Sequence, residues 1–297
     1  MAVIRWLQAL MPGDGWVTFW SLVTRIYSED VFMVLMPVAY WLLPRRQSRL
    51  LAGVFLVNIW LNDLCKALVW QPRPPADGIR VVPVDAGGPG FPSGHAQGTA
   101  AVWATVAGLW RRRWLTTLAG AVMLLVGVSR LYLGVHWPGD VAGGWALGLG
   151  VAWAAPRVQA RAGATLARVG LWGRVLLGLA APVLMLQLFA WVPVLSRLES
   201  AHLPGVLGAL AGFWAGSALE EAYVGYRAGG RWLHALAAIP LGLGLLLAVR
   251  YGLKAVFPGG PAWDFVRYLA IGLTATLVCP WLFRRLPGGS GAGREAA

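Results

Sequence analysis

The sequence predicts an all-α fold: a polytopic transmembrane helical bundle of about nine spans, preceded by an N-terminal interfacial helix. Three observations predict it. The chain of 297 residues is 58% hydrophobic and only 12% charged, where a soluble domain carries about a quarter charged residues. Apolar runs near the bilayer-spanning length of about 20 residues recur throughout. The basic residues gather in short clusters between those runs, as they do in loops retained on the cytoplasmic side.

Taken in order, the N-terminal stretch "MAVIRWLQALMPGDG" has too short an apolar run for a signal peptide. It suits an amphipathic helix in the membrane interface, with Trp6, Leu7 and Leu10 toward lipid. Spans are expected at roughly 26–43, 50–71, 94–110, 114–133 and 140–157, then at 172–194, 203–222, 232–253 and 264–284. Trp41, Trp70, Trp110, Trp114, Trp172, Trp191, Trp232, Trp263 and Trp281 fall at their ends, the pattern of an aromatic belt at headgroup level. The chain thus divides into an N-terminal segment (1–25), a membrane core (26–158), an additional four-span module (172–286) and a disordered tail (287–297).

The net charge of +13 records topology. Arg45, Arg46 and Arg49, then Arg111 to Arg113, Arg157 to Arg174, Arg227 with Arg231, and Arg284 with Arg285 occupy alternate connections. That distribution argues against nucleic acid as a partner and leaves the bilayer, with some affinity for anionic headgroups. Cys65 and Cys279 lie in or beside apolar spans, so no disulfide scaffold is expected.

Three polar islands interrupt the apolar pattern: "KALVWQPRP" at the end of the second span, "PSGH" opening the third, and "SRLYLGVHWPGD" between the fourth and fifth. All three fall on the side opposite the basic loops. In the first, Asn58, Asn62 and Lys66 repeat every fourth residue and draw a polar stripe on one helix face, which belongs against the bundle or a wet cavity. Pro72 and Pro74 force the chain out of helix around Arg73. Lys66 also suits snorkelling to the interface, and Arg73 simple loop solvation. Asp63 suits pairing with a neighbouring cation. In the second island Ser93 is an N-cap at a helix start, where free N–H groups bind anions and Gly94 admits close approach; a plain cap beside an interfacial histidine is the alternative. In the third, Arg130 is a bidentate phosphate ligand by type. His136 and Asp140, four apart, allow the carboxylate to hold one ring nitrogen and leave the other as nucleophile; Asp140 also suits capping of the next helix.

Lys66, Arg73 and Arg130, a helix N-terminus, His95 and a carboxylate-backed His136 together complement a phosphate group. Two histidines suit attack on phosphorus and protonation of the leaving oxygen. Asp77, Asp85 and Asp140 are too scattered for a dedicated metal site, and no Cys/His spacing suits zinc, so neither metal nor cofactor is expected.

Together the islands resemble the three-part signature of the type-2 phosphatidic acid phosphatase superfamily. Lys66, Arg73 and Pro74 match its first element, Pro92, Ser93, Gly94 and His95 its second, and Ser129, Arg130, His136 and Asp140 its third. The resemblance covers about residues 50–157. It implies that His136 attacks phosphorus and forms a phosphohistidine while Asp140 orients it. His95 protonates the leaving group and then activates water; Lys66, Arg73, Ser93, the Gly94 amide and Arg130 hold the phosphoryl oxygens. Membrane members act on lipid phosphates or diphosphates. The reading is therefore a metal-independent lipid phosphatase of the bacterial cytoplasmic membrane, its site facing the periplasm or exterior. The alternatives are a lipid phosphotransferase and a phosphate-lipid transporter. The first element follows one clear span plus the N-terminal segment, where common six-span members have two spans. The four extra spans resemble bacterial relatives of sphingosine-1-phosphate phosphatases.

Overall fold

The computed structural model describes residues 1–84, 86–198, 202–228, 232–257 and 259–286, and every regular element among them is helical. The expected disordered tail, 287–297, lies outside the described residues, as does Asp85. In order the helices are α1 (Ala2–Leu10), α2 (Asp14–Thr24), α3 (Glu29–Leu42), α4 (Arg45–Val69), α5 (Gly94–Trp110), α6 (Arg113–Tyr132) and α7 (Pro138–Leu166). There follow α8 (Leu171–Trp191), the short α9 (Pro193–Ser196), α10 (Leu203–Leu219), α11 (Trp232–Val256), α12 (Pro261–Leu273) and α13 (Cys279–Phe283).

Five segments among the described residues are long and apolar enough to cross a bilayer: Arg45–Val69, Arg113–Tyr132, Leu171–Trp191, Leu236–Val256 and Pro261–Phe283. The protein is multi-pass. The other four expected spans fall on α3, α5, α7 and α10. With 14, 17 and 17 residues, α3, α5 and α10 are short, since a helix rises only about 1.5 Å per residue. α7 has 29 residues, but its glycines and Asp140 dilute its apolar character.

The chain divides into two compact units. The first comprises Met1–Met33, Val57–Arg157 and Val192–Ser200. Within it α7 packs tightly on α5 because Gly144 and Gly148 face that helix. A Cβ at Gly148 would stand 2.2 Å from the Gln97 carbonyl oxygen, and one at Gly144 2.8 Å from that of Ser93. Small residues of this kind let membrane helices approach until backbone touches backbone. Below the polar islands Leu7, Trp20 and Val23 bury against Tyr132, Leu133 and Val135. Gln8 ties α1 down by donating to the carbonyls of Arg80 and Tyr132, each at 2.7 Å. The lipid-facing assignment of Leu7 is thereby corrected: Leu7 is only 8% exposed, whereas Trp6 and Leu10 are 62% and 61% exposed. Ile4 and Leu7 share one helix face, and Val3, Trp6 and Leu10 share another.

The second unit comprises Val34–Leu56, Val158–Trp191 and Ala201–Ala297. Its spine is α10 on α12, where ideal Cβ atoms at Gly208 and Gly212 would each lie 2.2 Å from the Phe265 and Leu269 carbonyl oxygens. Two π-turns, Glu220–Val224 and Thr274–Val278, continue these helices. Trp41 belongs to this core and not to a headgroup belt: it is 1% exposed, and its indole N–H donates to the Ala275 carbonyl at 2.8 Å. A buried indole needs such an acceptor. Trp70, Trp114, Trp172, Trp191 and Trp281 are exposed, and the side chain of Trp232 lies outside the described ones. Buried Glu220 accepts from Arg45 at 2.5 Å and from the Tyr226 amide at 2.7 Å. Glu221 meets Arg49 at 3.1 Å and Arg174 at 3.3 Å. These arginines belong to α4 and α8, which the chain brings to the same end of α10.

Candidate active site

The three islands converge in the first unit, and local structure explains how each is presented. α4 ends at Val69, short of the Pro72-Arg-Pro74 segment that cannot continue a helix. Its last turn sends the Lys66 ammonium to the Pro89 carbonyl at 3.1 Å. Ser93 caps α5 by accepting the Ala96 amide at 3.4 Å, and its own amide donates to the Asp140 carbonyl at 3.0 Å, joining the second island to the third. α6 carries Arg130 in its last turn; Gly134 then turns the chain with φ +70, where a Cβ would lie 2.5 Å from the Arg80 carbonyl oxygen. α7 starts at Pro138, a residue suited to the first helical position.

His136 is the centre of the arrangement. It is 2% exposed, and Nδ1 lies 3.3 Å from Asp140 Oδ2. The same oxygen accepts the Trp137 amide at 2.9 Å. Asp140 therefore both reaches back to cap α7 and holds the imidazole, so the two roles foreseen for it coexist. On the other edge of the ring, Arg73 Nη1 stands 3.1 Å from Nε2. A guanidinium can only donate, so Nε2 must be the acceptor and the ring proton must sit on Nδ1. The tautomer with a lone pair on Nε2 thus follows from two independent contacts.

Arg73 is itself anchored by the carbonyls of Gly88 at 2.9 Å, Gly87 at 2.7 Å and Val135 at 2.8 Å. Arg130, fully buried, donates to Thr24 Oγ1 and to the Val84 carbonyl, both at 2.9 Å. Burial above all, and then the charges of Arg130, Arg73, Lys66 and His95, hold the His136 imidazole well below its ordinary pKa. The Asn58–Asn62–Lys66 stripe faces inward as expected: Asn62 Nδ2 donates to Gln97 Oε1 at 2.8 Å, and Gln97 Nε2 to Asn58 Oδ1 at 3.0 Å. Gly94 sits against Asn62, where a Cβ would meet Oδ1 at 3.1 Å. Asp63 is buried one turn before Lys66 on α4.

The structure thus brings together His95, His136, Asp140, Lys66, Arg73, Ser93, Gly94 and Arg130. Three residues were not anticipated. Gln97, an amide within an apolar helix two residues after His95, had a sequence signal that was legible in principle. Thr24 on Arg130, and Tyr27, whose ring lies 6.0 Å from that of His95, had none. Among the described residues no group of three or more His, Cys, Asp or Glu side chains assembles. Chemically the site offers an imidazole whose Nε2 faces the Arg73 guanidinium, a second imidazole, and the N-terminus of α5.

Fold and site together define a multi-pass helical membrane protein with a buried histidine set between a carboxylate and a guanidinium. The sequence profile of the PAP2 superfamily matches residues 47–164, and that of the "PAP2 superfamily phosphatase, transmembrane extension" matches residues 204–292. The undecaprenyl-diphosphatase of Sulfolobus acidocaldarius is 30% identical over 155 residues, 49% of this chain and 70% of that protein. Phosphatidylglycerophosphatase B of Bacillus subtilis is 40% identical over 68 residues, 20% of this chain and 34% of that protein. Glucose-6-phosphatase catalytic subunit 1 of Haplochromis nubilus is 30% identical over 147 residues, 35% and 40% of the two chains. The chain thus spans between about a third and about two thirds of these relatives' lengths. A crystal structure of the first transmembrane PAP2 type phosphatidylglycerolphosphate phosphatase from Bacillus subtilis is similar over 54% of this chain and 84% of that one, at 23% identity and a TM-score of 0.46. This chain belongs to the PAP2 superfamily of phosphatases.

Proposed function

We propose that this protein is an integral-membrane phosphatase that hydrolyses a lipid phosphate monoester or lipid diphosphate at the outer face of the membrane, through a phosphohistidine and without a metal. The observation that carries the reading is the setting of His136, with Nδ1 3.3 Å from Asp140 Oδ2 and Nε2 3.1 Å from Arg73 Nη1. In the first step Nε2 forms a bond to phosphorus, the bond from phosphorus to the ester or anhydride oxygen breaks, and His95 gives its proton to that oxygen. Arg73 leaves Nε2 to bind the phosphoryl oxygens together with Lys66, Arg130, Ser93 and the Gly94 amide. Asp140 stabilises the ring as it becomes cationic. In the second step water attacks phosphorus and yields its proton to His95. The P–N bond breaks, its electrons return to Nε2, and inorganic phosphate leaves.

The relatives, a phosphatidylglycerophosphatase and an undecaprenyl-diphosphatase, support a phosphate on an apolar tail as substrate. The alternating basic loops support an outward-facing site in a bacterial cytoplasmic membrane, with α1 in the interface and its Trp6–Leu10 face toward lipid. On this reading residues 26–158 form the phosphatase core and 172–286 an additional membrane module. The test is phosphate release by purified protein in detergent, with EDTA present, from phosphatidate, phosphatidylglycerol phosphate, undecaprenyl diphosphate, a sphingoid phosphate and glucose 6-phosphate. Release is expected from one of the lipids and lost in His136→Ala; turnover by a folded His136→Ala protein refutes the nucleophile. Label appearing in a second lipid instead of free phosphate identifies a transferase, and binding without release a transporter.

A further inference from the structure

The N-terminal helices lie outside the matched PAP2 region, residues 47–164, yet they reach the site. α2 ends at Thr24, whose hydroxyl accepts from Arg130, and the chain tightens into the 3-10 turn Arg25–Tyr27. That turn delivers the Tyr27 ring edge-on to His95, with centroids 6.0 Å apart and planes at 68°. Phe32 packs against Tyr27 at 4.6 Å. His95 and Gly98 are three apart on α5 and share a face. A Cβ at Gly98 would lie 1.9 Å from both Cζ and the hydroxyl oxygen of Tyr27, so the ring occupies the notch that this glycine leaves. The notch, the edge-on ring and Phe32 are three separate features fixing the same side chain beside His95.

We infer that Tyr27 is a positioning residue: its ring holds the His95 imidazole in the orientation from which it protonates the leaving oxygen. The inference rests on the proposed general-acid role of His95. A proton donor must stand within hydrogen-bond reach of its acceptor, and the edge of the Tyr27 ring limits the rotation of the half-buried His95 imidazole. The polypeptide outside the matched region therefore completes the catalytic wall.

The experiment exploits the leaving group. An alkyl phosphate such as dioctanoyl phosphatidate needs a proton on the departing alkoxide, whereas p-nitrophenyl phosphate expels a stable phenolate without one. kcat/KM for both substrates, with a thermal midpoint for each protein, is measured for wild type, His95→Ala, Tyr27→Ala and Tyr27→Phe in detergent. His95→Ala is expected to lose at least about a hundredfold on phosphatidate and far less on the aryl ester. Tyr27→Ala is expected to lose about ten- to a hundredfold on phosphatidate, as misplacement of a catalytic group does, with the aryl ester nearly unaffected. Tyr27→Phe keeps the ring and is expected to behave as wild type. Equal losses on both substrates in Tyr27→Ala, no loss at all, or a Phe variant as impaired as the Ala variant overturns the inference. If His95→Ala shows no selectivity, the general-acid reading of His95 fails, and the Tyr27 inference falls with it; selectivity in His95→Ala without it in Tyr27→Ala sinks the Tyr27 inference alone.

Discussion

Replacing Asp140 by Asn isolates what the carboxylate charge does for His136. The amide oxygen can still accept the Trp137 N–H, so the start of α7 keeps its cap and the protein is expected to stay folded. The charge is lost at the moment it matters, when the P–N bond makes the ring cationic. At the 3.3 Å separation, a carboxylate and an imidazolium attract by about 5 kcal/mol at an effective dielectric near 20. A hydrogen bond to a charged group contributes about 1.5–3 kcal/mol net. Taking about 3 kcal/mol as the loss predicts a fall of about a hundredfold in kcat. The ground state moves the other way: with Lys66, Arg73 and Arg130 opposed by one fewer negative charge, phosphate binds at least as tightly, so KM and the product inhibition constant do not rise. The assay is steady-state phosphate release from phosphatidate in detergent micelles, with inhibition by added phosphate. A kcat within about threefold of wild type in a folded Asp140→Asn protein would reduce Asp140 to a helix cap and refute the reasoning.

A second prediction concerns pH. His136 is held neutral, with a folded pKa well below the ordinary value, while in the unfolded chain it titrates near about 6.5. Above that pH neither state holds the proton and stability is full; as pH falls below it only the unfolded chain takes one up, costing up to about 1.4 kcal/mol per pH unit. In phosphate-free detergent, wild type should lose thermal midpoint between about pH 7 and 5 faster than His136→Gln, and parallel curves would contradict the assignment. Third, Gly148→Val should lower the midpoint and activity together, because its Cβ would sit 2.2 Å from the Gln97 carbonyl oxygen, an overpacking worth about 1–3 kcal/mol or more. Gly150→Val, with nothing within 4 Å, is the control; equal midpoints for the two would refute the α5–α7 contact. Fourth, in a variant lacking Cys65 and Cys279, Gly87→Cys should react with an impermeant maleimide from outside intact cells and Arg112→Cys should not. The opposite pattern would invert the proposed orientation.

Local pattern places Leu7 toward lipid and Trp41 at headgroup level, yet both are buried by partners far away in the chain: Tyr132 and Leu133 for one, Ala275 and Phe283 for the other. Periodicity divides a helix into faces but does not say which face another helix covers. Glu220 and Glu221 likewise meet Arg45, Arg49 and Arg174, which reach them only through the fold. The polar islands were legible because an apolar chain leaves no cheap place for Lys66, Arg73, Arg130, His95, His136 and Asp140 except beside one another. The Asn58–Asn62 stripe was legible for the same reason; its partner Gln97 needed the docking of α4 on α5.

The sequence by itself determined that the chain is helical, that it crosses a membrane several times, and that its chemistry gathers in three connections. Apolar length, proline positions and i,i+4 spacing are local quantities, and they survive any arrangement of the helices. Only the tertiary structure decided which nitrogen of His136 keeps its lone pair, since that depends on Arg73 arriving from another loop. It likewise decided that Thr24 and Tyr27 stand beside Arg130 and His95. Hydrogen bonds and ring contacts act over a few ångströms between residues that the chain separates by scores of positions, and only the packed fold brings those positions together.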